Sequence, residues 1–198
     1  MCIKLFGADN NLMKDLSKYS DLELFAALRQ NKNAAEAAFT ELYARYSQRV
    51  FAYCLRIIGN NEDAQDVFQD TFLKFFKSAQ EHNIMTNVSA YIIKIARNLC
   101  LNYKRNKKYN LNIEDFHIST NDNGYEQKEM LELIGAALEC LDFEYKEAFI
   151  LRLYHGLSYQ EISDITGDSI TTVKNRFWRA KEKVKNILSP YLQDLSIT

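Results

Sequence analysis

Asp63, Asp66 and Asp70 recur at helical spacing within Glu62–Phe72, with Gln69 at the edge of the same face. Two carboxylates one turn apart could serve as a general acid and base. No nucleophile or basic group accompanies them, however, and carboxylates so placed on an exposed helix are usually solvated. A docking face for a basic partner suits them better. Cys2, Cys54, Cys100 and Cys140 are scattered, form no C-x-x-C pair and have no metal-ligand spacing to His82, His117 or His155. We read them as reduced thiols, with no metal and no cofactor. There is no glycine-rich phosphate loop, no H-E-x-x-H and no G-x-S-x-G, so the chain is not expected to be an enzyme.

The complementary chemistry is basic. Lys94, Arg97, Lys104, Arg105, Lys107 and Lys108 follow one another with no acid between them. On a helical wheel Lys94, Arg97, Asn98, Leu101, Arg105 and Lys108 lie opposite an apolar stripe of Ile92, Ala96, Leu99 and Tyr103. With Tyr91 beside an irregular stretch, this face suits backbone contacts and stacking on unpaired bases; the plainer alternative is a solvated charged face. A second basic set lies near the C-terminus. There Val173, Phe177, Ala180, Val184 and Ile187 form the apolar stripe, while Thr171, Asn175, Trp178 and Arg179 lie opposite, flanked by Lys174, Arg176, Lys181 and Lys185. Trp178 could touch a thymine methyl or a sugar, or pack on a neighbouring helix.

These residues need helices to position them. Six Gly and one Pro, Pro190, among 198 residues favour helices over tight-turned sheets. A short helix is expected around Leu12–Tyr19. Helical periodicity then runs from Asp21 to about Lys108, broken at Gly59-Asn60-Asn61 and over Ser78–Asn87. Residues 109–126 are polar and turn-rich and read as a linker. Periodicity returns at about Gln127 and ends at Leu188. In the C-terminal part a helix at Tyr145–Tyr154 is capped near Gly156. Ser158-Tyr159-Gln160-Glu161 has capping-box spacing, Gly167-Asp168 makes a turn, and Ser169 caps the basic helix. A short helix, a glycine turn and a basic helix make a helix-turn-helix, whose second helix reads the major groove. The expected fold is all-α: two small helical domains, 21–108 and 127–198, joined by a flexible linker after a tail at 1–20.

Net charge is −1, from 25 Lys and Arg against 26 Asp and Glu, so attraction to nucleic acid must be local. No apolar run approaches bilayer length, and we expect a cytoplasmic protein with no direct membrane binding.

Several segments together resemble the extracytoplasmic-function sigma factors. Glu62–Lys74 looks like that family's region 2, Ala90–Asn98 its promoter-melting helix, and Leu157–Ile162 with Thr172–Arg176 and Arg179–Lys181 its region 4. Tyr91 stands where the family often has Trp, and Thr171 where it often has a small residue. The resemblance implies a subunit that binds the RNA polymerase core, through its β′ and β subunits, and promoter DNA. Asp66, Gln69 and Asp70 would dock on the β′ coiled coil. The loop around 83–88 with Tyr91, Lys94, Arg97, Asn98 and Arg105 would meet the minus-ten element. Ser169, Thr171, Thr172, Lys174, Asn175, Arg176, Trp178 and Arg179 would meet the minus-thirty-five element. An anti-sigma partner, membrane-anchored in some relatives, is a further implication. The competing reading is a helix-turn-helix regulator that does not bind the polymerase core, which would have no use for an acidic docking helix followed by a basic melting helix.

Overall fold

The computed structural model describes residues 16–81, 85–107 and 133–195, with side chains at all of these but 107 and 191–195. Every regular element among them is helical. A 3-10 turn, Leu16–Lys18, precedes α1 (Asp21–Ala27), α2 (Lys32–Ile58), α3 (Asn61–Glu81) and α4 (Val88–Lys107). A short helix α5 (residues 133–139) leads to α6 (Phe143–Leu153), α7 (Tyr159–Thr166) and α8 (Ile170–Leu195).

Local chemistry sets the ends of these helices. Ser20 and Glu23 form a capping box at α1, and the Asn31 side chain accepts from Ala34 N–H at the start of α2. Such caps are each worth about 1 kcal/mol. Gly59, at φ 86°, ends α2 in the left-handed conformation. Asn60 follows at once and accepts from Asp63 N–H at 3.0 Å, so the expected break between α2 and α3 is a stop signal set directly against a start signal. Arg45 fastens the first elements to α2: it donates to Asp21 at 2.9 Å, to Glu41 at 2.8 Å, and to the carbonyls of Leu16 and Ser17.

Helices α2, α3 and α4 pack on one another around Leu42, Tyr53, Ala64, Phe72, Phe75, Ile92 and Ala96, all buried. Fully burying each large apolar side chain of this set contributes about 1.5–3 kcal/mol. Phe39, Tyr43, Phe68, Phe72 and Phe76 form a run of ring contacts between α2 and α3, with centroids 4.8–6.2 Å apart. Cys54 and Cys100, distant in sequence, are both buried and meet in this core. The Cys54 contact and burial push the Cys100 thiol far above its ordinary range, so Cys100 stays protonated.

The C-terminal helices build a second apolar cluster from Ala137, Leu138, Leu141, Phe149, Ala180, Val184 and Leu188. Their other buried residues, Ile150, Leu151, Leu157, Ile162, Ile165 and Val173, belong to the same cluster as the cores of α1–α4. The two halves are therefore packed together.

Several boundaries differ from the sequence expectation. Helix α3 runs on through Ser78–Glu81, because Ala79 is buried and continues its apolar stripe. Helix α6 ends at Leu153 with Tyr154 as its cap. Gly156, at φ 67°, lies beyond that cap in a turn that lets Leu157 N–H reach the carbonyl of Leu151. Helix α8 passes through Pro190 to Leu195; the proline is exposed and removes one backbone donor near the helix end. On α8 the stripe ends on Leu188, 7% exposed, and Ile187 is 37% exposed, because a 3.6-residue period drifts around so long a helix. The early part of the expected helix at 12–19, the linker 109–126 and the start at Gln127 lie outside the described residues.

Candidate nucleic-acid interface

Helix α3 presents Asp66, Gln69 and Asp70 to solvent because Ala64, Val67, Phe68, Thr71 and Phe72 turn into the core. One residue of this face was not singled out from the sequence: Leu73, one turn beyond Gln69, is 59% exposed. Leu73 adjoins Asp70 one turn before it and Lys77 one turn after it, so this exposed face mixes apolar and charged groups.

On α4, Lys94, Asn98 and Arg105 are exposed and share one face, as expected; Arg105 also donates to Asn102 Oδ1 at 3.1 Å. Arg97 does not join them. It lies on the flank of α4 that α6 covers, with its side chain 14% exposed, and donates through Nε to Glu147 Oε1 at 2.8 Å and through a terminal nitrogen to Glu147 Oε2 at 3.1 Å. The wheel treats every direction away from the stripe as solvent, whereas here a second helix occupies part of it. Tyr91 is half-buried; its hydroxyl is hydrogen-bonded to Ser78 and its ring lies 6.3 Å from that of Phe75. Asn87 accepts from Ala90 N–H at 2.9 Å, capping α4, and donates to Glu161 on α7. Of the loop at 83–88, residues 83 and 84 lie outside the described residues.

The helix-turn-helix has the expected parts. Ser158 and Glu161 form the capping box of α7, and Gly167, at φ 81°, ends it. Ser169 Oγ accepts from Thr172 N–H at 3.1 Å and contacts the Thr172 hydroxyl at 2.8 Å, so these two residues cap the helix. Thr171, Lys174, Asn175, Trp178 and Arg179 are exposed along α8, with Trp178 at 63%; the packing alternative for Trp178 is not realised. Arg176 is half-buried and paired with Asp168. Lys174 Nζ lies 5.7 Å from the Tyr159 ring centroid.

Between the halves lies a polar cluster that the sequence did not reveal. Glu147, 2% exposed, accepts from Arg97 and also from the Tyr53 hydroxyl at 3.0 Å. Burial opposes the Arg97 charge, but the hydrogen bonds and field of Glu147 outweigh it and raise its pKa. Burial first, then Glu147, pushes the Tyr53 phenol well above its usual range. His155, 8% exposed, lies edge-on to Tyr53 with ring centroids 5.6 Å apart. Burial, with Arg49 and Arg56 adding to it, pushes His155 down to about 4, so it is neutral at pH 7. Arg56 sits 4.0 Å from the Tyr154 ring centroid, and Lys104 sits 5.2 Å from that of Phe143. Glu147 stands at the head of the apolar run Ala148–Leu151 and was not singled out from the sequence; its partners lie fifty and more residues away.

Among the described residues, no group of three or more His, Cys, Asp or Glu side chains could hold a metal ion. No described helix is long and apolar enough to cross a membrane.

Comparison with known proteins agrees with this layout. Residues 42–109 match Sigma-70 region 2 and residues 131–184 match Sigma-70 region 4, together more than half of the chain. The ECF RNA polymerase sigma factor SigE of Mycolicibacterium smegmatis is 30% identical over 166 residues, which are 80% of this chain and 64% of that protein. The chain thus spans a little under two thirds of that relative. The ECF RNA polymerase sigma-E factor of Haemophilus influenzae is 25% identical, over 84% of this chain and 96% of its own length. The sigma factor RpoE of Bartonella quintana, solved in complex with the anti-sigma factor NepR, shares the fold with a TM-score of 0.68 at 24% identity, covering 76% of this chain and 96% of that one. CnrH, solved with the cytosolic domain of CnrY, gives a TM-score of 0.65 at 23% identity, covering 86% and 97%. These matches cover both halves of the helical architecture, and the chain belongs to the sigma-70 family, among the extracytoplasmic-function sigma factors.

Proposed function

We propose that the chain brings the RNA polymerase core to a restricted set of promoters and catalyses no reaction of its own. The observation that carries this reading is the presence of two oppositely charged surfaces on separate elements of one chain: acidic residues exposed on α3, basic residues exposed on α4 and α8. A regulator that only reads DNA needs the last of these alone.

In this reading Asp66, Gln69 and Asp70 dock on the β′ coiled coil, and Leu73 supplies the apolar centre of that contact. Lys94, Asn98 and Arg105 bind the minus-ten region, where charge-assisted bonds hold the phosphates and the junction braced by Tyr91 and Ser78 lies beside the separated bases. Thr171, Lys174, Asn175, Trp178 and Arg179 read the minus-thirty-five element in the major groove, with Ser169, Thr172 and Arg176 holding the start of α8 in place. The protein then works where the polymerase is, in the cytoplasm. An anti-sigma protein is the expected regulator, since two relatives of this fold were solved with a partner chain, in one case named an anti-sigma factor.

The division of labour is testable with two full-length variants. Asp70→Arg should weaken capture by purified core polymerase at least about tenfold, in line with reversing a charge at an electrostatic contact, and leave binding of an upstream-element duplex unchanged. Arg179→Ala should do the reverse, costing about 1–3 kcal/mol at the duplex if it contacts a base edge. Equal losses in both assays from either substitution would contradict the assignment.

A further inference from the structure

His155 is a polar side chain that the fold buries without giving it a polar partner. It is 8% exposed, and its ring lies edge-on to Tyr53 with centroids 5.6 Å apart. Its backbone N–H reaches the carbonyl of Ile150 at 3.3 Å, but among the described residues the ring itself makes no hydrogen bond. A buried polar group left in that state costs about 1–3 kcal/mol. No fully buried side-chain nitrogen or oxygen among the described residues lacks a hydrogen bond, so the ring nitrogens of His155 lie at the little surface the residue keeps.

Two cations flank that edge. Arg49, Tyr53 and Arg56 stand at i, i+4 and i+7 on α2 and so share the face on which His155 packs. Arg49 is exposed and makes no ion pair or hydrogen bond among the described residues. Arg56 rests over the Tyr154 ring at 4.0 Å, which covers one face of its guanidinium and leaves the N–H edge free. Both guanidinium groups act on His155, and no carboxylate opposes them. Glu147, which Tyr53 also contacts, gives both of its oxygens to Arg97. Arg49 and Arg56 are separated by roughly 10 Å along the helix axis, a span that two arginine side chains can close on one small anion. Unpaired cations beside a low-dielectric wall concentrate a positive potential, and guanidinium forks match the oxygens of a phosphate.

We propose that Arg49, Arg56 and His155 form a binding site for a small phosphate-bearing anion, the two guanidinium groups holding its oxygens at the rim and the His155 ring donating from the floor. The size of the ligand follows from burial. His155 keeps so little surface that a terminal phosphate group reaches it, whereas the backbone phosphates of a nucleic-acid strand, esterified on two sides, do not. The site is separate from the acidic face of α3 and from the exposed residues of α4 and α8 that the proposed function assigns to DNA.

The test titrates the full chain at pH 7 and constant ionic strength with inorganic phosphate, with pyrophosphate, and with a single-stranded oligonucleotide that carries no terminal phosphate. The ring resonances of His155, assigned by their loss in His155→Phe, report occupancy, and circular dichroism confirms retained helix. Phosphate and pyrophosphate should each shift these resonances along a saturating curve, pyrophosphate at the lower concentration. Arg49→Gln and Arg56→Gln should each raise the dissociation constant at least about tenfold, as expected for the loss of a charge-assisted bond. Arg56→Lys, which keeps the charge but not the fork, should fall between wild type and Arg56→Gln. Lys32→Gln, which removes an exposed charge elsewhere on α2, should change nothing. Calorimetry on His155→Phe should show binding weakened at least about threefold; if that variant fails to fold, exposed Arg49 carries the test. No saturating shift with either small anion, or equal weakening by Lys32→Gln and Arg49→Gln, overturns the site. A shift produced by the oligonucleotide but by neither small anion, and lost in Arg49→Gln, overturns it in favour of a nucleic-acid contact.

Discussion

His155 shows how much a single buried residue depends on its surroundings. It packs on Tyr53 with Arg49 and Arg56 near by, and its folded pKa of about 4 lies below the value of about 6.5 it takes in an unfolded chain. Between those two values the unfolded state holds more protons than the folded one. Stability contributed by neutral His155 is therefore complete above about pH 6.5 and is lost as pH falls toward 4, by at most about 3 kcal/mol for a shift of this size. Urea unfolding of the wild type should weaken from pH 7 to pH 4.5 more than that of His155→Gln; equal pH dependence in the two proteins would remove His155 as the cause. At this scale the sequence was legible for residues whose partner is local or is solvent: Ser158 with Glu161, Ser169 at the start of α8, Asp66 and Asp70 exposed on α3. It was not legible for Arg97, Glu147 and His155, whose chemistry is set by side chains far along the chain. A helical wheel distinguishes core from not-core, and a face covered by another domain belongs to neither.

The elements are built from strong local signals, which is why most of them could be read in advance. Gly59 and Gly167 each take a positive φ at a helix end, and the residue that follows begins or leads into the next cap. The turn at Gly167 lies between α7 and α8. A Cβ added there meets nothing within 4 Å, so a substitution is opposed by backbone conformation alone. Gly167→Ala should cost about 1 kcal/mol in chemical denaturation, the price of a left-handed alanine, and Gly167→Asn should cost less because asparagine tolerates that region better. Equal losses would mean that the side chain, not the backbone, is resisted. Two elements run past a weak local signal: α3 through Ser78–Glu81, held by buried Ala79, and the backbone of α8 through Pro190. For α3, composition and propensity see the polar residues but not the core that buries Ala79.

At the scale of the whole molecule, a net charge of −1 conceals a deliberate separation of sign. Acid is displayed on α3 and base on α4 and α8, and Arg97 pairs with Glu147 where the two halves meet. Under the proposed function, this separation lets one chain meet a polymerase surface and a polyanion at the same time. The most direct test of that account is run-off transcription: purified core polymerase with and without the full chain on fragmented genomic DNA, with the product ends sequenced. The account predicts new start sites that share one pair of upstream elements at minus-ten and minus-thirty-five spacing and that disappear with Asp70→Arg. Transcripts identical to those of core polymerase alone would contradict it.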